Sequence, residues 1–282
     1  MEKICDLHTH SNFSDGSFSP TRLVEMAVEA GLSAIALTDH NTVAGLPELV
    51  EVAKRYPIEA VPGTEFSVDY EGRELHLLGL FIGEEHYGAV NALLDEGIRQ
   101  KEESNKALIE RLSAAGYEMD YEAIKAKTPN GQVNRSHIAT ALTEYGYTAN
   151  NQEAFDKLLS AKRGFYIAPP RPDVFQVIRF LKSIGAVTVL AHPFLNLKTE
   201  EALRRFLTEA KPAGLDGMET IYTLFDEEKT RLAKAIADEF GLKHSGGSDF
   251  HGDNKPDIAL GTGTGELRVP CHFLGKLNAR KA

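Results

Sequence analysis

Positive charge is in short supply in this chain. Its 31 Lys and Arg face 41 Asp and Glu, a formal net charge of −10. That balance excludes a broad basic face of the kind that grips duplex nucleic acid through its phosphates. Cysteine is almost missing: Cys5 and Cys271 stand far apart, with no CxxC. A disulfide framework is therefore not expected, and a reducing, cytoplasmic setting is. No apolar run approaches the ~18 residues that a membrane span needs. The N-terminus enters a strand directly, without the charged and apolar regions of a secretion signal. Internal repeats and low-complexity segments are absent too. What remains is a chain of 282 residues, 42% hydrophobic, long enough to bury a full core as one α/β domain with or without an insertion.

Strand and helix signals alternate at both ends of the chain. Lys3 to Leu7 reads as a strand that delivers His8-Thr9-His10. Ser19 and Pro20 form an N-cap and first-turn pair for a helix through Ala30, stopped by Gly31. Ser33 to Leu37 is a short apolar strand ending at Thr38-Asp39-His40. A helix over 46–55, a strand near 58–61 and a hairpin of 65–69 with 74–82 follow. From 87 to about 160 the periodicity is helical throughout, with helices expected over 87–115, 121–127, 135–145 and 152–160. Gly164 and Pro169-Pro170-Arg171-Pro172 mark the exit. Alternation then resumes, with strands over 186–191, 216–220 and 242–245 and helices between them, capped by Thr199 and Asp226. Repeated βα units predict a parallel sheet or barrel whose site lies at the C-terminal ends of the strands. Residues 1–86 and 169–282 would form that body, and 87–168 a helical insertion covering its mouth.

Nine metal-capable side chains fall at those strand ends: His8, His10, Asp15, His40, Glu65, His76, His192, Asp249 and His251. His8 and His10 are two residues apart, which on an extended strand end puts both on one face. Any one of these residues has an ordinary structural explanation; a lone Asp in a Ser/Gly loop, for instance, is usually a turn former. Nine at equivalent places in successive βα units are better explained by a shared site of two or three divalent cations. His86, His244 and His272 carry no such pattern and are expected to be structural or superficial.

The segments Asp6-Leu7-His8-Thr9-His10-Ser11 with Asp15-Gly16, Thr38-Asp39-His40, Gly63-Thr64-Glu65, Ala191-His192-Pro193 and Ser248-Asp249-Phe250-His251 resemble the motifs of the PHP (polymerase and histidinol phosphatase) family. The resemblance spans nearly all of the chain outside the helical middle. It implies a distorted (β/α)7 barrel with the all-helical insertion capping the active site, and a trinuclear centre of Zn, Mn or Fe that hydrolyses phosphate esters. Carried over residue by residue, it implies that His8, His10, Glu65 and Asp249 hold one ion. Glu65, bridging, would hold a second with His76 and His192. Asp15, His40 and His251 would hold the third. Such ions can lower the pKa of a water to about 7 and so supply a hydroxide nucleophile. Asp39 and His192 are candidates to assist proton transfer.

Asn134-Arg135-Ser136-His137 opens a predicted helix, where free N–H groups and an Arg make an anion site. This element resembles the PHP branch of 3′,5′-bisphosphonucleotide phosphatases and short-RNA 5′-to-3′ exoribonucleases. It implies that Arg135 and His137 hold a second phosphate. Lys162, Arg163 and Tyr166 could extend that contact, or form a solvated basic turn. The expected partner is a small anionic phosphate ester, a nucleotide or short RNA. A small-metabolite phosphatase such as histidinol-phosphate phosphatase needs the same metals without the second pocket. A metal-binding regulatory protein without turnover is a further reading, opposed by the completeness of the ligand set.

Overall fold

A computed structural model describes residues 3–128 and 133–279. Eight strands form one sheet: β1 (Ile4–Asp6), β2 (Ala34–Leu37), β3 (Glu59–Tyr70), β4 (Arg73–Leu80), β5 (Val187–Leu190), β6 (Gly217–Tyr222), β7 (Lys243–Gly247) and β8 (Val269–Pro270), in the order β7-β6-β5-β4-β3-β2-β1-β8. The β1–β2–β3 and β5–β6–β7 pairings are parallel, while β4 runs antiparallel to both neighbours. The sheet curls until the residue after β1 meets β7, with Leu7 N–H donating to Gly246 O at 3.2 Å. The result is the distorted barrel that was expected, with the two-residue β8 as an eighth strand beside β1.

Period-two alternation builds two cores from strands buried on both faces. Ala34 and Ala36 point inward with Leu78, Leu80, Val187 and Val189, and the floor is sealed by Phe273, Leu274 and Leu277. Ile35, Leu37, Leu75 and Leu77 point outward against the surrounding helices. Those helices begin where the sequence places their caps. Ser19 Oγ accepts from Arg22 N, Thr199 Oγ1 from Ala202 N and Asp226 Oδ1 from Lys229 N.

Two elements differ from the sequence reading. The strand expected near 58–61 and the first arm of the hairpin are one continuous strand, β3, which runs through Pro62 and Gly63. Proline is tolerated because its carbonyl still accepts from Ile82 N, and glycine because a Cβ at 63 would stand 2.7 Å from Gly79 O. The helix expected over 152–160 is a short α-turn, Asn151–Ala154, that widens into a π-turn at Phe155–Leu159.

Between β4 and β5 the described residues hold helices and no strand. The long helix Tyr87–Ala114 starts on the barrel, burying Val90 and Leu94 in its outer core. It ends in a separate core, burying Leu108 and Leu112 beside Ile138 and Leu142. Phe66, among the largest fully buried side chains, packs in the outer barrel core. Phe66→Ala is expected to destabilise the protein by about 3–5 kcal/mol, read as a lower midpoint in urea denaturation at unchanged slope.

Candidate metal centre

Glu65 has no exposed surface and occupies the middle of the site. Its Oε1 lies 2.8 Å from His76 Nδ1 and 3.0 Å from His192 Nε2. Its Oε2 lies 3.3 Å from His8 Nε2 and 3.2 Å from both His10 Nε2 and His40 Nδ1. Asp249 Oδ1 stands 3.3 Å from His10 Nε2. Asp15 Oδ1 stands 3.3 Å from His251 Nε2. All nine residues marked in the sequence are thus gathered in one place. Their ligand atoms fall into four overlapping groups: His10, Asp15, His40 and His251; His8, His10 and Asp249; His8, Glu65 and His192; His40, Glu65 and His76.

The chemistry of this donor set fits cations. His8 Nε2 and His10 Nε2 are 3.1 Å apart, and His10 Nδ1 and Glu65 Oε2 are buried without a hydrogen-bond partner. Orphaned buried polar atoms are costly unless something outside the protein completes them. Burial favours neutral carboxyl groups, yet the surrounding imidazoles hold Asp15, Glu65 and Asp249 well below the usual range. Burial likewise disfavours imidazolium, but the acids push His10 up to about 9 and His76 up to about 10. His40 goes the other way, to about 3, because burial and the like charges of His10 and His76 outweigh Glu65 and Asp15. Such a cluster demands positive charge in a space where protons alone supply it unevenly.

Outer partners aim the rings. His8 Nδ1 donates to Glu219 Oε1 at 2.9 Å, His192 Nδ1 to Asn196 Oδ1 at 3.1 Å and His251 Nδ1 to Asp249 O at 2.8 Å. Because each partner is an oxygen acceptor, the outer nitrogen carries a proton, and the inner one is the atom that would offer a lone pair to a cation. Asp249 Oδ2 is held by Tyr222 Oη at 2.8 Å and Lys255 Nζ at 2.9 Å, which leaves Oδ1 facing inward.

Local backbone is bent to the same end. His192 and Asp249 adopt positive φ, 27° and 57°, conformations that cost about 1–3 kcal/mol in non-glycine residues and concentrate at functional sites. At Gly247 a Cβ would stand 2.4 Å from His8 Cβ, so β7 can pass this close to β1 only without a side chain. Two buried acids tie the loops together. Asp6 accepts from Ser248 N and Ser248 Oγ and from Gly261 N. Asp39 accepts from Ser11 N at 2.7 Å and from Ser11 Oγ and Ser14 Oγ at 2.6 Å. The Asp39 carboxylate is thereby turned toward these serines and braces the loop that carries Asp15. Asp6, Glu219, Tyr222 and Lys255 escaped the sequence reading. The available signal was a lone acid inside each of two otherwise uncharged buried strands, Asp6 in β1 and Glu219 in β6.

A cavity of about 210 Å³ joins the cluster to the helical segment; Asp15, His40 and His76 line it together with Lys101, Arg135 and Arg171. Arg135 lies over the Tyr166 ring, 4.2 Å from its centre. Arg171 pairs with Glu74 at 2.7 Å. Lys101 bonds Asn134 Oδ1, and burial lowers its pKa. Arg135 and Tyr166 thus line this cavity, as do Lys101 and Arg171, which the sequence did not single out. Three expected contacts lie elsewhere. His137 uses Nδ1 to accept from Asn134 N at 3.0 Å, capping its own helix, and faces a different recess with Asn12 and Tyr145. Lys162 and Arg163 are exposed outside the cavity, Arg163 bonding Asp156 O at 2.7 Å.

Residues 6–168, more than half of the chain, match the PHP domain. The chain belongs to the PHP family. Among PHP relatives, a 5′-3′ exoribonuclease of Haemophilus influenzae is 34% identical over 89% of this chain and 91% of its own length. A phosphoribosyl 1,2-cyclic phosphate 1,2-diphosphodiesterase of Eggerthella lenta is 32% identical over 88% and 94%. A 3′,5′-nucleoside bisphosphate phosphatase of Chromobacterium violaceum is 29% identical over 87% and 86%. A crystal structure from Bifidobacterium adolescentis, described as a metal-dependent phosphoesterase, superposes with a TM-score of 0.87 at 29% identity over 99% of this chain and 96% of that one. No helix among the described residues is long and apolar enough to cross a membrane.

Divalent cations should stabilise this PHP fold. At one hundred times the dissociation constant the gain is about 2.7 kcal/mol, visible as a higher melting temperature with Mn2+ or Zn2+. In His10→Ala that rise is expected to shrink sharply.

Proposed function

We propose that this chain is a metal-dependent phosphoesterase acting on nucleotides, with a ribose that bears two phosphate groups as its unit of recognition. The substrates that fit are 3′,5′-bisphosphonucleotides, releasing the 3′-phosphate, and the 5′ ends of short oligoribonucleotides. The observation that carries this reading is one cavity lined both by Asp15, His40 and His76 of the acid and imidazole cluster and by the cationic side chains of Lys101, Arg135 and Arg171. The cluster suits the phosphate that reacts, and the cationic side chains a phosphate that does not. The related activities share this chemistry. A nucleoside bisphosphate and a phosphoribosyl cyclic phosphate each carry two phosphate groups, and RNA carries them in series.

In this reading His8, His10, Glu65 and Asp249 would hold one ion, and Glu65, His76 and His192 a second. Asp15, His40 and His251 would hold a third. Zn, Mn and Fe all suit such mixed imidazole and carboxylate sites. Bound ions supply activation of water and neutralisation of phosphoryl charge. The chain's own residues do the rest. Arg135, stiffened by its stack on Tyr166, presents a planar fork to the second phosphate. Lys101 and Arg171, the latter paired with Glu74, line the same cavity. His192 carries its ring proton on Nδ1 toward Asn196 and so serves as a ligand through Nε2; that leaves the proton to the leaving group without an assigned donor. Residues 87–168 act as a cap that excludes water and selects substrate, over a barrel of 1–86 and 169–282.

Two variants separate the two roles. Asp249→Asn should lower turnover on every phosphate ester by several orders of magnitude while the metal-free protein keeps its melting temperature; near-native turnover with verified metal content would overturn the assignment. Arg135→Ala should lower kcat/KM on 3′,5′-bisphosphonucleotides and short RNA by roughly 10- to 100-fold, the worth of a hydrogen bond to a charged group. It should leave 4-nitrophenyl phosphate almost unaffected. An equal loss on both would favour a phosphatase of small metabolites without a second phosphate pocket.

A further inference from the structure

We propose that Glu219 is a positioning residue that presents two ligands, His8 and His192, to the metal centre. The inference rests on the metal-ligand roles given to those histidines above and adds a residue that touches neither substrate nor ion. Glu219 sits in β6 with no exposed surface. Its two oxygens are divided between the two histidines. Oε1 accepts from His8 Nδ1 at 2.9 Å, and Oε2 accepts from the backbone N–H of His192 at 2.6 Å. The first bond fixes the proton of His8 on Nδ1 and so leaves Nε2 bare toward Glu65 and His10. The second holds His192 at φ 27° and ψ 58°, a conformation that its own side chain disfavours. Without that bond the turn has reason to relax and carry Nε2 of His192 away from Glu65.

A carboxylate is required, not merely a polar side chain of this length. Both neighbours are donors, so the residue between them must accept twice. Glutamine offers one acceptor and one donor. If its oxygen faces His192 N–H, its amide must donate to His8 Nδ1, which moves the His8 proton onto Nε2 and points it into the cluster. If its oxygen faces His8, an N–H confronts the His192 N–H. Either arrangement spoils one ligand while keeping size and shape.

The test is zinc binding by Glu219→Gln against wild type, measured by chelator competition on the full-length protein, with 15N NMR of the histidine rings in the zinc-loaded wild type. The expected result is a loss of about 10- to 100-fold in zinc affinity, the range for partners that orient metal-bound histidines, with a metal-free melting temperature close to wild type. In the wild type, His8 should be protonated on Nδ1. Affinity within about threefold of wild type would overturn the inference, as would a wild-type His8 protonated on Nε2; the NMR measurement decides the matter even where the variant does not fold. A wild type that takes up no zinc removes the metal-centre reading together with this one. Normal uptake by wild type and variant alike removes this one alone.

Discussion

A carboxylate stripped of water needs positive charge within a few ångströms, and Glu65 meets that need with five imidazoles. Burial of an uncompensated anion would cost several kcal/mol. The ring of histidines makes the burial tolerable, but with protons that fit the geometry badly: one imidazole is driven up to about 10 and its neighbour down to about 3. Divalent cations resolve the conflict, since they place charge between donors where a proton can satisfy only one of them. Metal uptake therefore displaces protons. Much else in the structure serves to keep that ring in place.

The barrel closes at the ring itself. Beyond the strand ends a second tier of backbone bonds runs from Asp249 N to His8 O, His10 N to Phe250 O, Thr38 N to Thr9 O and Asn41 N to Glu65 O. These bonds fix the spacing of the loops that carry the ligands. Asp6 and Asp39 then cross-link neighbouring loops through serine and backbone donors. The unfavourable backbone at His192 and Asp249 persists because Glu219, Tyr222 and Lys255 hold on to the bent residues. Ligand geometry is thus supported by packing and by hydrogen bonds among the protein's own groups.

The centre was legible in the sequence because histidines and acids after short apolar runs have few other reasons to recur, and because parallel strands necessarily bring such ends together. Caps at Ser19, Thr199 and Asp226 were legible for a similar reason: each satisfies local donors without help from the rest of the chain. The supporting residues were not. Glu219 is one acid in a strand, and only the fold reveals that two donors converge on it. Lys101 lies in the charged run Arg99-Gln100-Lys101-Glu102, which looks like an exposed helix face until the cap core turns one side inward. Arg171 is hidden among prolines read as punctuation. Lys162 and Arg163 lie outside the cavity because nearness along the chain does not survive the turn at Gly164, and His137 because its capping bond to Asn134 turns it toward another recess.

His8 and Asp249 enter the same cluster from opposite ends of the chain. During synthesis His8, His10, Asp15, His40, Glu65 and His76 emerge long before the strand that brings Asp249 and His251. The ligand set is therefore complete only once the last parallel strand, β7, has docked, so the cluster joins the two ends of the chain.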